Sequence, residues 1–504
     1  NKEIMLGSNV FKINRLVSRE DYIKIQSALS LKEKSPLIIH KEYVREYQNP
    51  LLYGHLSGYV SKPSSQNMLD SFYTSNHFLG KTGLELQYEK DLRGTNGLEI
   101  WEYSSNLDSY SQNTVSKSVK GSNVYLSIDS NLQDKCYQLL LQKLSENNKL
   151  AGACIVQNLS GNIKASVSLP SFDPNVFSKS ISSSDIKLLL NDNLLPLNNR
   201  VVSSLYHPGS VFKIVTASGL LEDTNISVSN TVFDKGTLEI GGTTFKNWYE
   251  QGHGIVDFYG ALQKSNDTYF YIVSGGHSSS NISPLGSDKL VSWAKKFGFG
   301  TPSLVDLPFE VAGVVPSKDY KRINFNDAWY TGDTYQLAIG QSYLLATPLQ
   351  VNNSYVSLLT NSLKIPTILT DTSKLTYTEF NTQQFVKNYN KPGQSSKSLF
   401  LKSSTIEAVK EGLKRVVQPG GTAYPFFDVT DYTLGGKTGT AEYGNPLPNG
   451  DFKTHAWFSA FAPFKDPEIV ITVLIEDGGG GSDTSAFVVK DFLDYYFGDY
   501  QDLK

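Results

Sequence analysis

Several residue types and patterns that would direct a sequence toward a particular function are scarce in this chain of 504 residues. The two cysteines, Cys136 and Cys154, lack the spacing of a metal site and lie in apolar runs, which favours two buried thiols over a disulfide. Basic and acidic residues number 46 and 49, and the resulting net charge of −3 gives no support for a nucleic-acid-binding surface.

Long apolar runs are missing too. No stretch approaches the ~18–20 residues that a membrane-spanning helix needs. No signal peptide is recognisable, and the chain begins at Asn1 rather than at a methionine. We therefore expect a piece trimmed from a longer protein, with any membrane anchor lying upstream.

Motifs of metal sites and of Ser-His-Asp hydrolases are also absent. The seven histidines are scattered without ligand spacing, so they are interpreted as structural or surface groups and no metal site is predicted. The G-x-S-x-G elbow, which presents the nucleophile of many hydrolases, does not occur.

Length and composition predict more than one domain. Apolar residues make up 39% and charged residues 19%, which is a globular balance, and 504 residues exceed a single core. Residues 1–120 are polar and rich in Tyr and Ser, which predicts an irregular, strand-rich domain ending in a linker at Tyr103–Gly121. Residues 121–504 form the second predicted domain.

The second domain has clearer periodicity. "VYLSID" alternates like a strand, and Asp129 or Ser130 can cap a helix with an apolar face. Two pairs of β-rich runs, "AGACIVQNLSGNIKASVSLP" and "THAWFSAFAPF" with "IVITVLIED", predict hairpins, and residues 483–496 look helical. Strands at both ends with helices between them predict an α+β domain built around an antiparallel sheet. The predicted apolar helix face consists of Leu132, Cys136, Leu139, Leu140 and Leu144.

The four residues GKTG occur twice, at Gly80–Gly83 and at Gly436–Gly439. A phosphate loop needs a glycine five residues before the Gly of G-K-T, and Ser75 and Asp431 stand there instead. Neither copy is therefore a phosphate loop. The first copy precedes Leu84 and Glu85, which predicts a turn and helix cap.

The strongest chemical candidate is "SSLYHPGSVFKIVTASGLLED". Pro208 and Gly209 break the chain, and Ser210 then opens an apolar helix at its positive end. Lys213 lies three residues on, and its amine can reach the Ser210 hydroxyl and take its proton if burial favours the neutral amine. By itself, S-x-x-K is also compatible with a serine cap and a surface lysine.

Two further elements follow in order. Ser265, Asn266 and Asp267 interrupt an otherwise helical run, either as a polar helix junction or as groups that project into a cleft and hold Lys213. The second GKTG comes third.

Together these elements resemble the signature S-x-x-K, S-x-N and K-T-G of penicillin-binding proteins and serine β-lactamases. "LPLNNRVVSSLYHPGSVFK", "KNWYEQGHG" and "GGKTGTAE" look like the class B, elongation-specific, penicillin-binding protein 2-like subgroup. "VREYQNPLLYGHLSGYVSKPS" resembles its non-catalytic, dimerisation-type pedestal. The resemblance implies a transpeptidase domain with a five-stranded antiparallel sheet flanked by helices. Asp267 stands where Asn is commonest in the wider family.

The resemblance also implies a function, peptidoglycan D,D-transpeptidation through a serine acyl-enzyme during cell-wall elongation, with no cofactor. Ser210 would be the nucleophile acylated by substrate or β-lactam, Lys213 the base and Ser265 the proton shuttle. Asp267 would act beside Lys213 as a catalytic group. The backbone N–H groups of Ser210 and Thr440 would form the oxyanion hole. Lys437 would be a further catalytic residue that supplies positive charge. Residues assigned to substrate binding are Asn266, Thr438, Gly439 and Thr440.

Other functions of the same fold stay open at this point. They are a D,D-carboxypeptidase, a β-lactamase, and a non-catalytic β-lactam sensor or scaffold. By analogy with the family, the partners are peptidoglycan stem peptides, a SEDS-family membrane glycosyltransferase and a rod-shape scaffold protein. The implied location is the periplasmic face of the bacterial cytoplasmic membrane.

Overall fold

The structure is a computed structural model, and it divides into two compact units. It describes residues 2–4, 11–13, 19–30, 44–70, 72–74, 77–103, 110–178, 183–370, 396–428, 430–448 and 450–503. One unit spans residues 1–45 and 94–121, and the other spans residues 46–93 and 122–504. The stretch from Glu46 to Arg93 packs with the C-terminal residues, so the packing division differs from the predicted boundary at residues 120 and 121.

In the part of the smaller unit that the structure describes, the elements are two pairs of antiparallel strands and one helix. Its two strand pairs are Lys2–Ile4 with Phe11–Ile13 and Leu98–Tyr103 with Tyr110–Ser116, and its helix is Arg19–Ser30. The predicted linker at Tyr103–Gly121 is therefore wrong. Its polar residues form a strand because each faces a residue of Leu98–Tyr103 across a hairpin, and cross-strand pairing does not require an apolar sequence.

The larger unit contains a sheet of five antiparallel strands. They are β1 (Gly152–Asn158), β2 (Ile163–Leu169), β3 (Gly435–Tyr443), β4 (Lys453–Ala462) and β5 (Ile469–Ile475). Their order in the sheet is β3-β4-β5-β1-β2, so the strand that carries the second GKTG lies at an edge. Both predicted hairpins, β1–β2 and β4–β5, are confirmed.

Helices cover both faces of this sheet. Alternate residues of β1 belong to two clusters, with Ala153 and Ile155 in one and Cys154 and Val156 in the other. Strands buried on both faces are apolar throughout, which explains the continuous apolar runs in the sequence. The helices used below are α1 (Ser130–Glu146), α2 (Lys213–Asp223), α3 (Phe258–Gln263), α4 (Asp267–Gly275), α5 (Pro348–Thr360), α6 (Ser403–Val416) and α7 (Ser485–Phe497).

Most of the elements predicted for this unit are present. The carboxylate of Asp129 accepts from the backbone N–H groups of Asn131 and Leu132, and thereby caps α1 as predicted. The predicted face of α1 is buried, α7 matches the predicted C-terminal helix, and both cysteines are buried free thiols. The strand predicted at "VYLSID" is wrong, because only Leu126 pairs, in an isolated bridge with Leu369.

The remaining elements are short. The strands are Val60–Ser61, Leu79–Gly80, Val232–Asp234, Thr237–Ile240, Thr243–Lys246, Gly254–Val256, Ser362–Leu363 and Lys397–Ser398. The helices are Pro50–Ser57, Gly83–Gln87, Glu89–Leu92, Asn175–Ser178, Ser183–Leu190, Arg200–Ser203, Ser287–Lys296, Lys318–Phe325, Thr331–Ala338 and Tyr424–Phe427, with 3₁₀ turns at Asn67–Leu69, Gly209–Phe212 and Gln501–Leu503. In the part of the chain that the structure describes, no helix is long and apolar enough to cross a membrane.

The first GKTG forms a turn that leads into a short helix, as predicted. Gly80 ends the strand Leu79–Gly80, and Gly83 begins the helix Gly83–Gln87. Thr82 stands at the N-cap position of this helix, as predicted, although its hydroxyl makes no capping hydrogen bond. The turn packs within the larger unit.

Candidate active site

Ser210 lies in a 3₁₀ turn, Gly209–Phe212, directly before α2. The α-helix therefore begins at Lys213 rather than at Ser210, and the Lys213 N–H donates to the Ser210 carbonyl. The neighbouring Val211 and Phe212 are buried and anchor the turn, whereas Ser210 is half-buried. Burial of its neighbours leaves the serine hydroxyl at a fixed and accessible point.

Lys213 connects this turn to the second predicted element. Its amine is fully buried and donates to Ser265 O at 2.8 Å, to Ser265 Oγ at 3.3 Å and to Asp267 Oδ1 at 2.7 Å. Within the described residues, these bonds go to Ser265 and Asp267 and not to the Ser210 hydroxyl. Lys213, Ser265 and Asp267 are thus brought together, and Ser210 lies three residues before Lys213, in the turn that leads into the same helix.

The electrostatics of Lys213 result from two opposing effects. Burial lowers the pKa of Lys213 below its ordinary value, and the adjacent Asp267 carboxylate partly offsets this effect. A lowered pKa makes the neutral amine easier to form, and the neutral amine is the form that a general base requires.

Ser265 and Asp267 are held at the corner between α3 and α4. Ser265 has φ +52°, an uncommon left-handed conformation for serine, and it turns the chain so that α4 begins at Asp267. The second carboxylate oxygen of Asp267 accepts from Trp248 N at 3.3 Å. Asp267 is therefore oriented from both sides, by Lys213 and by the backbone at Trp248.

Asn266 has a different environment from its two neighbours. Its side chain is fully buried; its oxygen accepts from Tyr269 N at 2.7 Å, and its nitrogen donates to Asp234 Oδ2 at 2.6 Å and lies 3.0 Å from His253 Nδ1. Both ends of the amide are thus used inside the fold. The predicted substrate-binding role of Asn266 has no support in these contacts, and this residue is instead the N-cap of α4.

The second GKTG lies along edge strand β3. Lys437 is fully buried and donates to Thr438 O at 3.0 Å. Burial lowers the pKa of Lys437 well below its ordinary value, and the nearby charge of Lys213 lowers it further. A Cβ built on Gly439 would lie 3.0 Å from Val211 Cγ1 and 3.2 Å from Pro208 O, so β3 runs directly against the turn that carries Ser210.

Thr438 and Thr440 differ in their surroundings. The Thr438 hydroxyl is 2.7 Å from that of Thr422, whereas Thr440 is exposed and its hydroxyl accepts from Gly481 N at 3.3 Å. Thr422 was not predicted from the sequence. It follows the turn "QPGG" after α6, and a Pro-Gly-Gly turn before a threonine is the only local signal that could have indicated it.

All the predicted site residues therefore belong to one neighbourhood beside the free edge of the sheet, although the side chain of Asn266 is directed into the fold. That neighbourhood contains a half-buried hydroxyl, two buried lysines, a carboxylate and a strand that can pair with an extended ligand. Among the described residues, no group of three or more His, Cys, Asp and Glu side chains is arranged to hold a metal ion.

Known proteins share this sequence and arrangement. The chain matches the Penicillin binding protein transpeptidase domain over residues 151–494 and the Penicillin-binding Protein dimerisation domain over residues 4–126. The peptidoglycan D,D-transpeptidase MrdA of Haemophilus influenzae is 32% identical over 479 residues, which are 90% of this chain and 70% of that relative.

Solved structures agree with these matches. The penicillin-binding protein PBP2 in the complex with MreC from Helicobacter pylori has a TM-score of 0.74 and 32% identity, over 90% of this chain and 79% of that one. A structure described as "Structural coordination of polymerization and crosslinking by a peptidoglycan synthase complex" has a TM-score of 0.79 and 25% identity, over 96% of this chain and 80% of the other.

The fold, the site and these matches define a serine acyltransferase of the penicillin-binding class. More particularly, the chain belongs to the penicillin-binding protein transpeptidase family and to its elongation-specific, penicillin-binding protein 2-like branch. The predicted family and the predicted five-stranded α+β fold are both confirmed.

Proposed function

We propose that this chain is a peptidoglycan D,D-transpeptidase of cell-wall elongation in which Ser210 forms the acyl-enzyme and Lys213 is its base. The observation that carries the proposal is the convergence of Ser210, Lys213, Ser265, Asp267 and Lys437 beside edge strand β3. Membership of the transpeptidase family supports the reaction class, and the contacts support the individual roles.

Acylation begins with attack by Ser210 Oγ on the carbonyl carbon of the penultimate D-Ala of a stem peptide. The hydroxyl proton moves to Lys213 Nζ as the new carbon–oxygen bond forms. The bond to the nitrogen of the terminal D-Ala then breaks, and that nitrogen receives a proton through Ser265, whose hydroxyl lies 3.3 Å from Lys213 Nζ. The amine of a second stem peptide next attacks the ester, which releases Ser210 and forms the cross-link.

Edge strand β3 binds the substrate and stabilises charge. The backbone N–H groups of Ser210 and Thr440 form the oxyanion hole, an element typically worth ~3–4 kcal/mol of activation free energy. The substrate's terminal carboxylate is bound by Lys437 and by the hydroxyls of Thr438 and Thr440. Because an arriving carboxylate favours the ammonium form, it raises the pKa of Lys437 from its depressed value in the free enzyme. A β-lactam with its own carboxylate acylates Ser210 in the same way.

Partners and location follow by analogy with the relatives. The Helicobacter pylori protein is solved with MreC, and the peptidoglycan synthase complex couples polymerization with crosslinking. We infer that this chain works with a rod-shape scaffold protein and a SEDS-family glycosyltransferase in the cell envelope, at the periplasmic face of the membrane. A membrane anchor upstream of residue 1 stays a prediction.

The decisive experiment is acylation by a fluorescent penicillin, followed by intact-protein mass. The wild type and Ser229→Ala, a change of an exposed serine, should gain one label, and Ser210→Ala should gain none. With a lipid-linked polymer and an amine acceptor, the wild type should form cross-links. Labelling of Ser210→Ala would overturn the assigned nucleophile. Rapid loss of the label or release of D-Ala without cross-links would indicate a β-lactamase or a carboxypeptidase instead.

A further inference from the structure

Behind the Ser265–Asp267 corner lies a buried carboxylate, Asp234, that the mechanism above does not use. Its side chain has no exposed surface. Oδ2 accepts from Asn266 Nδ2 at 2.6 Å, from Asn247 Nδ2 at 2.8 Å and from the backbone N–H of His253 at 2.9 Å. Oδ1 accepts from the backbone N–H of Gly236 at 2.8 Å. We call Asp234, Asn247, His253 and Asn266 the Asp234 cluster.

The orientation of both amides in this cluster is fixed by their other ends. The oxygen of Asn266 accepts from Tyr269 N at 2.7 Å, and the oxygen of Asn247 accepts from Asp267 N at 3.0 Å. Rotating either amide by half a turn would point its NH₂ group at a backbone N–H. Both nitrogens must therefore point toward Asp234 and the neighbouring ring of His253, and an ionised carboxylate can accept from both.

The charge of Asp234 is retained despite burial. Burial by itself would raise the pKa of Asp234, but hydrogen bonds from the backbone N–H groups of Gly236 and His253 outweigh it and lower the pKa below its ordinary value. The ring of His253 also lies beside this carboxylate, with Nδ1 3.2 Å from Oδ2. Hydrogen bonds donated by surrounding N–H groups therefore stabilise the ionised form of the Asp234 carboxylate.

The cluster reaches the catalytic groups by two routes. Through Asn247 it holds the backbone N–H of Asp267, and the next residue, Trp248, donates its own N–H to the Asp267 carboxylate. Through Asn266 it holds the first turn of α4, which begins at Asp267. Both routes therefore end at Asp267, whose Oδ1 lies 2.7 Å from Lys213 Nζ.

We propose that Asp234 is a positioning residue for acylation, which fixes Asp267, and through it Lys213, by means of the two amides. This proposal rests on the proposed function, because it assigns Asp234 a role in the acylation of Ser210. In Asp234→Asn the new NH₂ group must face either the Gly236 N–H or the donors of the two amides. In either orientation the negative charge is lost, which weakens the hydrogen bonds from both amides and so loosens both routes.

Acylation kinetics test the route through Asp267. Asp234→Asn should lower the rate constant of acylation about 10- to 50-fold, as expected for a displaced catalytic group, and should change the dissociation constant of the initial β-lactam complex less than about 3-fold. In a variant that already carries Asp267→Ala, adding Asp234→Asn should lower the rate constant of acylation by less than about a further 2-fold. An equal loss in both backgrounds would overturn the proposal.

The matched control is Asp306→Asn, because Asp306 is also a buried carboxylate that accepts a backbone N–H, from Ile368 at 2.8 Å. This control should lose stability and acylate within about 2-fold of the wild type. Hydrogen exchange of residues 264–270 gives a readout that does not depend on activity. Exchange there should be at least about 10-fold faster in Asp234→Asn and unchanged in Asp306→Asn; unchanged exchange in both would overturn the positioning role even if the wild type were not acylated.

Discussion

The two GKTG segments have the same four residues in two different structures. At Gly80–Gly83 the chain leaves a two-residue strand, turns at Lys81 and Thr82, and starts a helix. At Gly436–Gly439 the same residues lie inside the nine-residue strand β3, against the turn that carries Ser210. Lys81 donates to Asn67 Oδ1 at 3.3 Å, whereas Lys437 lies buried near Lys213 and Asp267.

The comparison shows that the residues following a short motif determine whether it forms a turn or a strand, and therefore whether it can take part in catalysis. "GLELQ" after the first copy favours a helix, while "TAEY" alternates and extends a strand. A strand at a sheet edge presents its backbone and alternate side chains to a ligand, and a turn before a helix does not. Paired substitutions at equivalent positions of the two copies can therefore separate catalysis from folding.

The largest expected difference is between the two lysines. Lys437→Met keeps the side-chain volume but removes the amine, and should lower the rate of acylation by penicillin about 10²- to 10³-fold, as for loss of one preorganised electrostatic group. Lys81→Met should leave this rate within about 2-fold of the wild type. The measurement is stopped-flow labelling of folded protein. Equal losses at both positions would show that the two copies are not functionally distinct.

Alanine substitution of the last glycine in each copy, Gly83 or Gly439, should affect different properties: stability in the first case and acylation in the second. At Gly83, which has φ +57°, a Cβ would lie 2.4 Å from Gly58 N, so Gly83→Ala should reduce the free energy of unfolding by about 1–3 kcal/mol. At Gly439 a Cβ would lie 3.0 Å from Val211 Cγ1, beside Ser210, and Gly439→Ala should slow acylation about 10- to 100-fold.

Thermal unfolding and acylation should be measured on both glycine variants. We expect Gly83→Ala to acylate at the wild-type rate below its unfolding temperature. Slow acylation of the Gly83→Ala variant, or acylation of Gly439→Ala at the wild-type rate, would contradict the assignment of Gly83 to folding and Gly439 to acylation.

Local patterns predicted one part of this site and missed another. The turn before α2, the two hairpins and the order of the three motifs depend on neighbouring residues, so periodicity and spacing were enough. Asp234 bonds to Asn266 from 32 positions away, and Thr422 meets Thr438 from the far end of a loop. Asn266 shows the same dependence on distant residues: its position in S-N-D predicts a substrate-binding residue, whereas in the structure its amide donates to Asp234 and faces into the fold.

A pH profile should distinguish the surroundings of the two copies. The Asp267 carboxylate favours the charged form of Lys213, so Asp267→Asn should lower the pKa of Lys213 further and shift the acid limb of acylation about one unit to lower pH. Among the described residues, Lys437 also interacts electrostatically with Lys213, and this substitution leaves it in place. At the first copy, Glu89 opposes the effect of burial on the pKa of Lys81, so Glu89→Gln is the matched change.

Glu89→Gln should leave the acid limb in place, even though the loss of a buried acceptor for Gly80 N should cost stability. An acid limb that does not move in Asp267→Asn would mean that a group other than Lys213 controls this limb. A shift to higher pH would have the wrong sign for removal of a negative charge.

The smallest expected effect concerns the two threonines. The Thr82 hydroxyl is buried without a hydrogen-bond partner among the described residues, and Thr438 pairs with Thr422 at 2.7 Å. Thr82→Val should raise the free energy of unfolding by up to about 1 kcal/mol, because it removes an unsatisfied polar group, and should not affect acylation. Thr438→Val should weaken carboxylate recognition about 10-fold, seen as a raised dissociation constant for penicillin. Thr438→Ser should keep the dissociation constant near the wild-type value, because serine retains the hydroxyl. Both threonines carry this hydroxyl, but only that of Thr438 contacts the ligand in the proposed mechanism.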